Sequence, residues 1–529
     1  MKALKARETG SVRRAAPSDS WVQGRPAAPP VPAGAALGGR VQAGWQVREI
    51  GIAARGAGVP EMPKRQRVET QELEWAAAQS VSSEQEEQAA GGIDEDEVQA
   101  VLAKAHAEVE KLCRVTKHRQ EPPRPHCSCP LRVGAMQIVD RPGRGRGWIA
   151  SADIPAGRTI LCESPLAYAM DWEADALESE ALNVDSASLI LALAEQLRGK
   201  RGPQLIKQLQ TLSPLPGDPG KEWTCDDPEL ATKVEQSLKR VTQLSPGERA
   251  RLKRVVRANS LGIYTNSEQL CYPDQFVHLS GVALYLNASL FNHDCRPNAT
   301  RFNVGAIAVF RTNRLVRKGE ELCISYIESD ILCEPAGLRN LELGGRDFKV
   351  RDPGGSADDD DDDDDSDADE MEEPELYRKI DEEAQEALLE LDPPARLENI
   401  ALLLEDKDTA DSFIRADRKE LSLLQAVACT QLGYFSTALE HWEDCIAFAA
   451  VHCPPHDECL VCYSVHAAIV ALASDQLESA AAHMRTALKT HAVAFGGGPQ
   501  FLRMRYGKEV EIFGRGNDKR LWQMIGLLE

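Results

Sequence analysis

Eight consecutive aspartates, Asp358–Asp365, continued by Ser366-Asp367-Ala368-Asp369-Glu370, set the first limit on how this chain of 529 residues can fold. Carboxylates at that density repel one another and cannot be buried, so no core can run through them. The stretch 351–374 therefore reads as a solvated acidic linker, with a lure for lysine-rich segments as the sharper alternative. Any core must be built on one side of it or the other, and the two sides differ in pattern. Before it, alternating apolar segments are punctuated by glycine turns; after residue 375, apolar residues recur at helical spacing to the end. The expectation is an α+β body followed by an all-α domain over 375–529. Hydrophobic residues make up 43% of the chain, which is ample for more than one packed core.

Within the helical part, Leu432-Gly433-Tyr434-Phe435-Ser436-Thr437-Ala438-Leu439 returns loosely as Ala473-Ser474-Asp475-Gln476-Leu477-Glu478-Ser479-Ala480-Ala481. An offset of about 42 residues suggests stacked helix pairs of the tetratricopeptide kind, which bind or brace. His452, Cys453, His456, Cys459 and Cys462 crowd one part of it. Cys459 and Cys462 have a zinc-like spacing, yet the same spacing puts two thiols on one helix face toward a core, and no second ligand pair stands apart from Pro454-Pro455. No metal is assigned.

Residues 1–95 are rich in Ala, Gly, Pro and Arg and read as a disordered tail. An Arg-rich, acid-poor transit peptide and a weak nuclear address at Lys64-Arg65-Gln66-Arg67 are the competing readings. A helical lead-in over 96–132 follows, with Val98, Val101, Leu102, Ala105, Val109 and Leu112 at helical spacing. The net charge of −22 argues against binding through nucleic-acid phosphates and suits a basic protein partner better. Fourteen cysteines without an evident secretory leader, and no apolar run of membrane-spanning length, favour reduced thiols and a nuclear or cytoplasmic location, import into an organelle being the alternative.

From 133 to 172 three short strands alternate with turns, among them Gly143-Arg144-Gly145-Arg146-Gly147, where missing side chains let backbone approach a ligand closely. A helical insert occupies 173–257, with Leu189, Ile190, Leu193 and Leu197 on one face and a basic cluster between Arg249 and Arg257. That cluster reads as a solvated face, or as contact with an acidic partner. Strand character resumes at Asn259-Ser260-Leu261-Gly262-Ile263-Tyr264. Two segments then carry the chemistry. Asn292-His293-Asp294-Cys295-Arg296-Pro297-Asn298 gathers side chains that compete for backbone hydrogen bonds, which marks an ordered loop; Gly319-Glu320-Glu321-Leu322-Cys323-Ile324-Ser325-Tyr326 reads as a turn and a strand ending on a phenol.

The glycine turn, the Asn-His loop and the Glu-Glu to Tyr strand, in that order, resemble the SET-domain lysine methyltransferases, and the split layout with a helical tail is most similar to the SET-and-MYND subfamily. Two zinc sites of that subfamily have no counterpart: the insert 173–257 holds only Cys225 and no histidine, and the post-SET cysteines are missing where Arg346-Asp347-Phe348-Lys349 stands. The resemblance implies a SET β-fold (133–172 and 258–350) with a knot-like threading of the Asn298 loop around the C-terminal strand, an exception to ordinary topology. It also implies S-adenosylmethionine as cofactor and a protein lysine, on a histone tail or another target, as substrate. By the same resemblance Tyr326 is catalytic, and Gly145, Gly147, Asn259, Asn292, His293 and Phe348 line the cofactor, with Tyr326 beside it. The helical tail would narrow the substrate cleft, and a monomer is expected. A catalytically silent scaffold that binds partners through the tail is the reading of a different class.

Overall fold

The β-rich half is built on strands whose residues leave no polar face. Thr159–Glu163 and Ile307–Thr312 are buried at every position, as continuous apolar runs in the middle of a sheet should be. In the computed structural model the described residues are 93–115, 129–141, 145–173, 186–216, 222–225, 227–264, 278–327, 329, 331–333, 339–340, 343, 392–405, 415–513 and 516–526, all within one unit spanning Glu84–Glu529. The N-terminal tail up to residue 92, Gly143, the acidic linker and Phe348 lie outside them.

Among the described residues the chain opens on α1 (Glu95–Val115), capped by Asp94, whose Oδ1 accepts from the Asp96 and Glu97 N–H groups at 3.0 and 3.2 Å. Val98, Leu102 and Ala105 are buried, as their spacing predicts. There follow β1 (Arg132–Val133), β2 (Met136–Arg141), β3 (Gly145–Ala150), β4 (Thr159–Glu163) and β5 (Ala167–Glu173). The insert supplies α2 (Ser186–Leu197), α3 (Gly202–Leu209), α4 (Pro228–Lys239) and α5 (Pro246–Asn259). The sheet region resumes with β6 (Ser260–Tyr264), β7 (His278–Leu284), β8 (Asn292–His293), β9 (Ala299–Val304), β10 (Ile307–Thr312) and β11 (Glu321–Ile324). Three small sheets result, in the orders β1-β4-β10-β9, β2-β3-β11-β8 and β5-β7-β6. Asn259, expected to begin a strand, is instead the last residue of α5; the strand starts one residue later, because the Ser260 N–H still bonds back to Val256.

The insert packs around an apolar core in which Leu189, Ile190, Leu193 and Leu197 meet Val234, Leu238 and Val255, together with Ala167 of β5 and Leu284 of β7. Its basic cluster is engaged internally. Arg251 donates to the carbonyls of Pro214, Leu209 and Leu212, Lys253 pairs with Glu235, and Arg254 pairs with Glu222. The Arg251 guanidinium closes the turn after α3, whose carbonyls have no partners within a helix. The reading of the cluster as a solvated face therefore gives way, for these residues, to a clamp on the insert.

The helical part contains α6 (Pro393–Glu405), α7 (Arg415–Leu432), α8 (Phe435–His452), α9 (Glu458–Ala473), α10 (Leu477–Ala494), α11 (Gly498–Phe513) and α12 (Asp518–Met524). The repeat seen in the sequence has a physical counterpart at two of the helix junctions. Gly433 ends α7 at φ 81° and Asp475 follows α9 at φ 59°; in each, the next N–H reaches back five residues, Tyr434 to Cys429 and Gln476 to Ala471, both at 2.8 Å. Both are the same left-handed C-cap. Cys459 and Cys462 face the core formed by Trp442, Tyr463 and Tyr506.

One buried cation fastens the two halves together. Arg311, on β10, pairs with Glu95 of α1 at 2.7 Å and donates to the Val493 carbonyl of α10 at 3.1 Å and to Thr159 Oγ1 at 2.6 Å. Burial lowers the Arg311 pKa and the Glu95 charge opposes that shift, so the ion persists where it is enclosed.

Candidate active site

Strand β11 is the axis of the site. On one side it runs antiparallel to β3, with Leu322 opposite Trp148; on the other it runs parallel to β8, with Cys323 opposite Asn292 and Ile324 opposite His293. The glycine strand and the Asn-His loop, more than 140 residues apart in sequence, thus become neighbours across one strand. A Cβ on Gly147 would stand 2.7 Å from Asn292 Nδ2 and 2.8 Å from Glu321 Oε1, so any larger residue there would have to displace this pair. The group that Gly147 admits closely is the Asn292 amide. Gly145, at φ 68°, has open space where its Cβ would be.

Asn292 Nδ2 donates to Glu321 Oε1 at 2.8 Å, while Asn292 Oδ1 makes no hydrogen bond among the described residues. His293 is buried; its Nδ1 accepts the Tyr326 N–H at 3.0 Å, so the ring proton lies on Nε2, 3.3 Å from Cys295 Sγ. The Tyr326 hydroxyl donates to the Phe291 carbonyl at 2.6 Å. Phenol, imidazole and the start of the loop are therefore locked together, with the His293 and Tyr326 rings 5.4 Å apart. Asn259 stands at the edge of this group. Its amide donates to the Ser213 and Val255 carbonyls and its own carbonyl accepts from Ser289, in the turn that leads into Phe291.

Two residues outside the sequence-derived set hold the arrangement. Asn298, 3% exposed, brackets β11: Oδ1 accepts the Cys323 N–H at 2.9 Å and Nδ2 donates to the Glu321 carbonyl at 2.7 Å. Glu163, 5% exposed on β4, accepts from the backbone N–H groups of Leu286, Asn287 and Ala288 at 2.8 to 3.1 Å and from the Asn287 amide. Burial raises its pKa, and those four donors pull it back. The signal in the sequence was a lone acid in the apolar run Ile160-Leu161-Cys162-Glu163, which needs donors wherever it is buried. Behind the loop, Phe291 stacks on Phe310 with centroids 4.4 Å apart, and the Trp148 indole donates to the Asn287 carbonyl.

The far side of Tyr326 is closed differently. Ile327, Leu332 and Leu343 form a small apolar cluster against Tyr326, Ile331 and the half-buried Cys295. Ser329 adds one polar tie, donating to Asp457 Oδ2 at 2.6 Å at the start of α9. A post-SET zinc, which the family resemblance implies, does not fit this donor set. Cys295 faces hydrocarbon and His293, and the described residues contain no group of three or more His, Cys, Asp or Glu arranged to hold a metal.

Comparison with known proteins finds a domain match over this region. Residues 145–327 match the family model of the SET domain. Over 87 residues the chain is 36% identical to a SET and MYND domain-containing protein of Dictyostelium discoideum, and over 85 residues 34% identical to SET6, a potential protein lysine methyltransferase of Saccharomyces cerevisiae. Each match covers 16% of this chain and only 19% and 21% of the respective relative, about a fifth of its length. Among solved structures, Rubisco LSMT bound to AdoMet matches over 75% of this chain and 92% of its own, at 13% identity and a TM-score of 0.23. The SET domain of LSMT bound to lysine and AdoHcy matches over 73% and 93%, at 12% identity and 0.23.

Proposed function

We propose that the SET domain of this chain transfers a methyl group from S-adenosylmethionine to the side-chain amine of a protein lysine. The observation that carries the reading is the Tyr326 hydroxyl held on the Phe291 carbonyl, one residue before Asn292-His293 and inside the region that matches the SET domain. When bound, the cofactor supplies an electrophilic methyl carbon on a sulfonium. Displacement there needs a neutral amine aligned with the carbon–sulfur bond, and it calls for position more than for a strong acid or base. Tyr326 and the Phe291 carbonyl offer oxygens that orient the amine and favour the polarised methyl group, and an apolar surround lowers a lysine's pKa toward the neutral form. Asn292, half-buried and with no hydrogen bond to its Oδ1 among the described residues, is suited to receive the cofactor's ammonium. Gly145 leaves space beside it, Gly147 brings β3 against it, and His293 fixes the loop that carries it.

The net charge of −22 and the aspartate run favour a lysine-rich target, histone tails included. A nuclear or cytoplasmic site of action follows from such targets. The test is a mass-spectrometric screen for methyl transfer to histones and to proteins of a cell lysate, with calorimetric titration of S-adenosylmethionine. Binding together with a lysine-methylated product is expected. Failure to bind the cofactor would leave the scaffold reading in its place.

A further inference from the structure

We infer that Cys129 and Cys162 form a modification site: a dithiol that hydrogen peroxide converts to a disulfide, tying the segment after α1 to the SET sheet. The two sulfurs are 3.5 Å apart, with Cys162 donating its S–H to Cys129. A bond of about 2.05 Å needs only a small approach from there. The positions are held by structure on both sides. The Cys129 N–H donates to Ser164 Oγ at 2.9 Å, and the Ser164 hydroxyl returns to the Cys129 carbonyl and sulfur at 3.3 and 3.6 Å. Cys162 is fixed on β4, and β1 pairs Arg132 with it across the ladder.

The two thiols differ in a way that assigns their roles. Both thiols line a small pocket with Glu97, Val98, Val101, Pro130 and Arg132, and Cys129 is the more exposed of the two, half-buried where Cys162 is buried. The Cys162 S–H and the Ser164 hydroxyl hold the Cys129 thiol below its ordinary range, and the same bond and burial hold Cys162 above it. Cys129 is thus the attacking sulfur. Its thiolate displaces hydroxide from peroxide, the O–O bond breaks, and a sulfenic acid forms while the hydroxide takes a proton from solvent. The Cys162 sulfur then attacks Cys129, the S–O bond breaks, and the departing hydroxide takes the Cys162 proton. Two thiols are oxidised to one disulfide and one peroxide is reduced to two waters.

The experiment treats the full-length reduced protein with hydrogen peroxide, blocks free thiols and maps peptides without reduction. A Cys127→Ser background separates Cys129 from its neighbour two residues away. A Cys129–Cys162 linked peptide, lighter than the reduced pair by about 2 Da and restored by dithiothreitol, is expected. Cys129→Ser and Cys162→Ser should each reduce the link to background, and the oxidised protein should melt a few degrees higher. Cys129 oxidised to sulfinic acid with Cys162 still free, or linked to another cysteine in the Cys127→Ser protein, would overturn the inference. So would the persistence of the link in Cys162→Ser.

Discussion

The two sides of Tyr326 are held by different physics. On the loop side, Asn292, His293 and Asn298 meet β11 through directional hydrogen bonds, with Glu163 fixing the turn that precedes them. On the closing side, Ile327, Leu332 and Leu343 press on Tyr326 and Cys295 with hydrocarbon, and polar ties such as Ser329 to Asp457 and Ser325 to Ile327 add to it. Hydrogen bonds fix position and orientation, whereas apolar contact excludes water and tolerates small shifts. The difference teaches that the loop side sets the geometry of the phenol and that the closing side seals it, with no metal-holding group among the described residues and partly through the helical half of the chain.

The strongest way to break this contrast is Asn298→Ala. It removes the side-chain bonds to the buried Cys323 N–H and Glu321 carbonyl, at a cost of about 2–4 kcal/mol in urea unfolding, and any methyl transfer should fall with it. Equal stability of variant and parent would remove the loop side's special role. Acidification separates the sides in the opposite sense. His466 of α9, stacked on Trp442, has its pKa lowered to about 4 by burial, and His491 of α10 is shifted the same way. A depressed folded pKa means that the unfolded chain binds more protons, so stability is full above about pH 6.5 and is lost as pH falls toward 4. The loss should be a few kcal/mol, and hydrogen exchange should show it first in α9 and α10 and later in β11.

Leu343→Ala should cost about 2 kcal/mol, at the low end for a buried leucine because so small a cluster can collapse. Asp457→Ala removes both the tie to Ser329 and the cap on the Cys459 N–H; about 1 kcal/mol is expected, with limited proteolysis showing earlier cleavage near residue 329. The smallest expected effect is that of a strong zinc chelator, which should change neither melting temperature nor methyl transfer. A drop in either would place a structural metal on the closing side.

Much of the loop side was legible in the sequence. Residues 292–298 combine types that resist regular structure, the apolar alternation up to Tyr326 marks a strand, and the glycines announce a close approach. The helix pairs were legible through a turn that repeats, with Asp475 standing where Gly433 does, a substitution that the left-handed conformation permits. What remained hidden was long range. Glu163 finds its donors more than 120 residues downstream and Arg311 its carboxylate 216 residues upstream, and no local pattern encodes such a meeting. The basic stretch from Arg249 read as a surface because Arg251 finds its acceptors in carbonyls of the turn after α3, and a carbonyl has no signature in sequence. The apolar cluster beyond Tyr326 was hidden for a similar reason: scattered Ile and Leu residues seal a site only once the backbone has brought them together.

The proposed methyl-transfer site is organised by Tyr326, and no zinc-holding group closes it among the described residues. It is tested most directly by measuring transfer from labelled S-adenosylmethionine in chelator-treated protein, for the parent chain and for Tyr326→Phe, with cofactor binding followed in both. The account expects undiminished transfer in the parent and a fall of about a hundredfold or more in the variant, with cofactor still bound. Transfer that survives the loss of the hydroxyl, or that stops in the parent when zinc is removed, would contradict it.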